Sequence, residues 1–168
     1  MQTLESMLPR SVRQRPRDGQ RQKVYNAERP LHRRSKILVN RRGLEKYVKR
    51  VLKHKWFKKN WPGIYSINPR SIRSDAHAHG WYAGGGVCAI QIPINIWSLK
   101  ESIVLHEIAH GLTEYKFGVE KTAWHGREFA RIFSSLVQHY MGPEAGRKLR
   151  AGYREHHVKW RSNGKGNA

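Results

Sequence analysis

A chain of 168 residues, of which 38% are hydrophobic, has room for one compact domain and little for a second. Its 33 Lys and Arg stand against 12 Asp and Glu, a net charge of +21, and no stretch approaches the roughly 20 apolar residues of a membrane span, so no membrane-spanning helix is expected. The single cysteine, Cys88, excludes an internal disulfide and any four-cysteine zinc ribbon, and suits a reducing compartment. Met1 to Arg10 carries no apolar signal-like run, so the expected location is the cytoplasm.

The charge is uneven. Residues 1–60 hold 19 Lys and Arg against 4 Asp and Glu, and residues 61–168 hold 14 against 8. Such asymmetry points to a negatively charged partner, nucleic acid before membrane, contacted through residues 10–59. A solvated basic face that keeps the protein soluble is the plainer alternative.

In chain order, residues 1–17 have prolines and arginines without apolar periodicity and are expected to form a disordered basic arm. Asp18 is placed to cap a helix in which Val24, Ala27 and Leu31 form a thin apolar stripe and which Pro30 should bend or end. Asn40 is placed to cap a second helix, with Leu44, Tyr47, Val48, Val51, Leu52 and Trp56 on one face and Lys46, Lys49, Arg50, Lys53 and Lys55 on the other. Trp61-Pro62-Gly63 then breaks the pattern. Short strands are expected over Ile64–Ile67 and Ser71–Arg73 about an Asn68-Pro69 turn, at Trp81-Tyr82, and over Val87–Ile92 after a Gly84-Gly85-Gly86 turn. Asp75 to Gly80 reads as a loop, and Pro93 as a strand end or exposed edge.

A Ser98-x-x-Glu101 capping box predicts a helix starting just after Ser98. It should bury Val104, Leu105, Ile108, Ala109, Leu112 and Tyr115 on one side and present His106, Glu107, His110 and Glu114 on the other. Phe117-Gly118-Val119 ends it. Two more helices follow, at about 126–140 and from Pro143 to about Tyr153, before a tail over 161–168 that is expected to be disordered. Helices, short strands, then helices make an α+β domain over residues 18–160, with basic helices at 18–58 and a short antiparallel or mixed sheet against the histidine helix.

The chemistry is concentrated in His106-Glu107-Ile108-Ala109-His110. Histidines four apart project from one helix face and can both ligate a single Zn²⁺, with Glu107 beside the open position. Zinc lowers the pKa of its water to about 7, and Glu107 is placed to accept that proton and pass it to a leaving amine. A third ligand must come from downstream. Lys116 occupies the position where a metzincin carries histidine, leaving Glu114, Glu120, His125 and Glu128. His125 is preferred because imidazole suits zinc and because it opens a helix after a loop long enough to fold back; Glu128 is the fallback.

HEIAH followed by HGREF at this spacing resembles the SprT/Spartan group of small zinc metalloproteases, whose pattern is HExxH, a variable loop, and a third histidine in HGxEF. Together with RDGQRQKVYNAE and AGGG it is similar still more closely to a family of small metallohydrolases of actinobacteria and their phages. The resemblance covers roughly residues 17–160, with its specific motifs in 80–133. It implies a zincin-like fold, His106, His110 and His125 as zinc ligands, Glu107 as catalytic acid and base, and a substrate-binding strand edge beside the site, for which Val87–Ile92 is the matching segment. The chain lacks the cysteine-rich ribbon of SprT-type proteins.

These readings converge on a zinc-dependent metallopeptidase acting on protein or peptide, with nucleic-acid-associated proteins as candidate substrates. The rivals are a basic nucleic-acid-binding protein with a structural zinc site, and a zinc hydrolase of a non-peptide amide or ester. His77, His79 and the His156-His157 pair read as surface histidines. Trp56, Trp61, Trp81 and Trp124 read as packing residues before base-stacking ones. Tyr82, Tyr115, Tyr140 and Tyr153 are candidates for an oxyanion-stabilising hydroxyl, and Cys88 for a small buried hydrophobe.

Overall fold

The N-cap at Asn40 forms as its sequence predicts: its side chain accepts from the Gly43 N–H, and the helix it opens buries Leu44, Tyr47, Val48 and Val51. The computed structural model describes residues 15–162. Most of the expected basic arm (1–14) and most of the tail (163–168) lie outside the described residues. The elements are α1 (Arg21–Arg34), α2 (Arg41–Lys53), α3 (Lys55–Asn60), β1 (Ser66–Ile72), β2 (His79–Gly84), β3 (Val87–Pro93), α4 (Glu101–Phe117), α5 (Arg127–Tyr140) and α6 (Pro143–Glu155). Among the described residues the fold is mixed α+β, with six helices and one three-stranded mixed sheet. No helix among the described residues is long and apolar enough to cross a membrane.

Several local expectations are corrected. Pro30 does not end α1, which runs four residues further to Arg34. Trp56 is not on α2. That helix ends at Lys53, and Trp56 belongs to the short α3, whose N-cap is the His54 ring accepting from the Trp56 N–H. Asn68-Pro69 is not a turn but lies inside β1, opposite Ala89 and Ile90. Proline is tolerated there because β1 is an edge strand, with one side free of ladder bonds.

The sheet order is β1-β3-β2, with β1 parallel and β2 antiparallel to β3. Val87–Ile92, expected at an edge, is therefore the central strand, buried through Cys88, Ile90 and Ile92. The edge strand against the histidine helix is β2. Gly84, Gly85 and Gly86, all at positive φ (96°, 53° and 77°), turn it into β3.

The start of α4 also differs from expectation. Ser98 and Glu101 form no capping box, and Lys100 is the N-cap without a side-chain bond. The segment after α1 caps the helix instead. The Glu101 N–H donates to the Lys36 carbonyl (2.9 Å), the Ser102 N–H to Ser35 Oγ (2.9 Å), and Ile37 bridges Lys100. Glu101 turns away and accepts from the Tyr47 hydroxyl at 2.9 Å.

Nor does α4 divide into a core face and a solvent face. Every residue from Glu101 to Glu114 except Ile103 is buried, while Tyr115 is 37% exposed. The helix is enclosed by the sheet, α5, α1 and α2. Close contact with β2 depends on glycine, since a Cβ on Gly80 would lie 2.0 Å from the Glu107 carbonyl oxygen. The polar groups on α4 are thus held inside the protein and must find partners there.

Candidate metal centre

α4 carries His106 and His110 one turn apart, and the loop before α5 brings His125 to them. Their Nε2 atoms converge: His110 lies 3.2 Å and His125 3.4 Å from His106. One ligand atom from each ring falls within 4.8 Å of the others. A tetrahedral zinc with nitrogens at 2.0–2.1 Å has ligand–ligand edges of about 3.3 Å, so the spacing fits such an ion. The rings are 4–6% exposed, and Phe129 of α5 packs against all three, its ring centroid 4.4 Å from His110, 4.8 Å from His106 and 5.1 Å from His125.

Two of the rings are oriented by carboxylates that the sequence reading did not assign to the site. Glu28 of α1, fully buried, places Oε2 2.9 Å from His106 Nδ1 and 3.3 Å from His32 Nε2. Asp18 places Oδ2 2.8 Å from His125 Nδ1 and also accepts the His125 backbone N–H at 3.2 Å. Asp18 therefore does not cap α1, whose N-cap is Gln20. Gln20 holds the same histidine from its other side, donating to the His125 carbonyl at 2.8 Å. With Nδ1–H directed at a carboxylate, each imidazole keeps its Nε2 lone pair for the point where the three rings meet. At 3.2 and 3.4 Å the Nε2 atoms are close enough to share either a proton or a cation.

Electrostatics follow these contacts. Burial works against ionised Glu28, but the His106 and His32 rings outweigh it and bring its pKa down to about 2. Burial also tends to lower the pKa of His106, yet the Glu28 carboxylate turns the net shift upward. His110 is driven well below the ordinary range by burial and then by the neighbouring His106 and His125, and His125 is lowered by burial and His106 against the pull of Asp18. Among the described residues, Glu107 forms no ion pair. Burial raises its carboxyl to about 7, with His106 only partly offsetting the effect. That is the range in which a carboxylate exchanges protons near neutral pH.

The other acids considered as ligands are placed elsewhere. Glu114 spans from α4 to the start of the chain and to β2, accepting from Arg15 at 2.6 Å and from the Tyr82 N–H at 2.9 Å. Arg15 also lies over Trp124, 3.7 Å from its ring centre, which adds a short stretch of the expected arm to the site's surroundings. Glu120 is exposed, Glu128 is half-buried, and neither shares a metal-competent group with the histidines. His77 and His79 are exposed, as the sequence suggested, with His79 stacked on Trp81.

Of the four tyrosines proposed for an oxyanion role, Tyr82 accepts from the Gly86 N–H and Tyr140 donates to the Val51 carbonyl. Tyr153 is buried, and Tyr115 packs on Trp61 and Tyr82. The tyrosine that meets the histidines is Tyr25 of α1, 4.8 Å from His125 and 6.2 Å from His106 between ring centres, and 41% exposed. It shares a cleft of about 730 Å³ with Glu107. A signal for α1 was present in the sequence: Glu28 stands one turn after Val24 on the apolar stripe, where an acid is buried only when paired.

No protein-family model, curated protein or solved structure matches the chain.

Proposed function

We propose that the protein is a zinc-dependent metallopeptidase with a zincin-like site, in which His106, His110 and His125 are the ligands and Glu107 is the general base and acid. The observation that carries this reading is the convergence of three imidazoles, with Nε2 of His110 and of His125 3.2 and 3.4 Å from that of His106, beside the buried Glu107 carboxyl. Among the described residues the group closes at three donors, the number a catalytic zinc keeps while leaving one position for solvent. When bound, zinc supplies Lewis acidity and an acidified water molecule. His106, His110 and His125 would hold that ion, and Glu107, at the inner end of the cleft, would serve as the group that accepts a proton beside it and delivers one to the departing amine. Tyr25 faces the same space from α1 and is assigned the hydroxyl that donates to the oxygen gaining charge.

Glu107→Gln should keep one equivalent of zinc by metal analysis and lose about 10²- to 10⁴-fold in peptide-bond cleavage, the usual share of a general base. Undiminished cleavage would refute the role. Tyr25→Phe should lower turnover by about 10²-fold, the scale of one oxyanion donor, with little change in KM.

A second reading, binding of nucleic acid, has its own observation. The outward side of α2 exposes Lys46, Lys49, Arg50 and Lys53. Its mark would be affinity for an oligonucleotide that falls steeply with salt and is indifferent to Glu107→Gln.

A further inference from the structure

The cleft that reaches Glu107 has a wall of unusual chemistry. Arg21, Tyr25, Arg29 and Arg33 line it from α1. They lie at intervals of four residues, so they form one row along the helix, with Arg21, Arg29 and Arg33 exposed. Arg21 is partly engaged by Asp18 at 3.2 Å, and Arg29 makes only a neutral contact, to Asn26 at 3.3 Å. Among the described residues no carboxylate is within ion-pairing distance of Arg29 or Arg33. The acids of the cleft are Glu28 and Glu107. Glu28 is fully buried against two histidines, and Glu107 lies 6% exposed at the inner end, so neither neutralises the outer row. Across the cleft stand Ala78 and Trp97, the latter 70% exposed.

We propose that this cleft selects an acidic polypeptide, with carboxylates on alternate residues of an extended segment pairing with Arg29 and Arg33 while the backbone passes Glu107. The inference rests on the peptidase reading and names its substrate class. The spacing agrees. Residues four apart on a helix are separated by about 6 Å along its axis, and side chains on one side of an extended peptide recur at about 6.6–6.8 Å. Guanidinium groups suit carboxylates because both are planar and bond in pairs. A single strand bound by stacking meets successive rings beside the cations, whereas the rings of this cleft are divided between α1, with Tyr25 and His32, and the segments that carry His77 and Trp97. Trp97 covers the apolar parts of a bound peptide on the opposite rim.

The test uses the full chain loaded with zinc and carrying Glu107→Gln, so that binding is read without turnover. Fluorescence anisotropy compares a labelled extended peptide bearing glutamate at alternate positions with the same peptide bearing glutamine. The acidic peptide should bind about tenfold more tightly, the scale of two or three partly exposed ion pairs. Arg29→Glu with Arg33→Glu should abolish that preference and shift it toward a lysine-bearing peptide, a gain that a misfolded variant would not show. Lys46→Glu, which lines a different groove, should leave it intact. Equal binding of the glutamate and glutamine peptides would overturn the proposal. So would a preference that survives the double reversal or falls as much with Lys46→Glu. Tighter binding of an oligonucleotide, lost on the same double reversal, would overturn it in favour of nucleic acid. If the glutamate preference holds but the unsubstituted zinc protein cleaves none of the peptides, the binding preference stands and the peptidase reading fails.

Discussion

Two glutamates are buried within one cluster and titrate in opposite directions. Glu28 sits on the α1 side of His106, accepts from two imidazoles and has its pKa brought down to about 2. Glu107, next to His106 in sequence, has no such donor and is raised to about 7. Burial acts on both in the same sense, so partners decide the outcome. A carboxylate held ionised fixes the orientation of a ring. One held near neutrality can pick up and release a proton. The pair therefore separates a flank of fixed charge from a flank able to exchange a proton.

The comparison can be tested through pH. The folded metal-free protein binds a proton on Glu107 up to about pH 7, whereas the unfolded chain loses it near 4.5. Between those values the folded state holds the extra proton, so this group's contribution to stability falls as pH rises, by on the order of 3 kcal/mol across the window. Glu28 has the opposite sign. Its contribution is complete above 4.5 and is lost as pH falls toward 2. Urea unfolding in the presence of chelator, at pH 5 and pH 8, should show a smaller loss on going to pH 8 for Glu107→Gln than for the unsubstituted chain. Identical losses would mean that Glu107 is not shielded from solvent as its burial indicates.

A smaller effect is expected on the α1 flank. Glu28→Gln keeps the shape but removes the charge that both His106 and His32 address, and zinc affinity should fall about 10- to 100-fold, as for other carboxylates behind metal-binding histidines. Glu107→Gln should leave that affinity unchanged. Chelator competition on the two variants checks this. Equal losses would erase the distinction between the flanks.

The parts of this arrangement that were legible in the sequence are those encoded within a few turns of chain. The four-residue spacing of His106 and His110, the apolar row of α2, the Asn40 cap and the Gly118 stop after α4 all depend on neighbours, and local pattern displays them. Helices around a small sheet followed from their order. His125 was preferred on chemistry, and the fold places it with the other two rings. What stayed hidden depends on distant pairings. Glu28 meets His106 from 78 residues away and Asp18 meets His125 from 107, and no local pattern records either contact. For the same reason Ser98-x-x-Glu101 reads as a cap, although residues 35 and 36 occupy that helix end. Strand order is equally invisible: Val87–Ile92 and Trp81-Tyr82 both read as strands, but only pairing shows which one lies at the edge.

The least change is expected at Asp18, and the reason sharpens the contrast with Glu28. Both carboxylates accept from an Nδ1 at nearly the same distance, 2.8 and 2.9 Å, so geometry alone would rank them together. Their surroundings differ. The Glu28 side chain is fully enclosed and serves two imidazoles, whereas the Asp18 side chain is 9% exposed and shares its charge with Arg21. Water and a competing guanidinium weaken the field that Asp18 exerts on His125. Asp18→Asn also leaves one amide oxygen, able to accept from Nδ1–H in place of Oδ2, while its NH2 group replaces the oxygen that accepts the His125 N–H, so the bond that orients the ring survives and the backbone bond is lost. Zinc affinity should therefore fall only several-fold, less than the 10- to 100-fold range expected for a fully buried partner. Competition against the same chelator measures both. A loss at Asp18 as large as that at Glu28 would mean that the hydrogen bond itself, and not the enclosed charge behind it, sets how firmly the imidazole holds a metal.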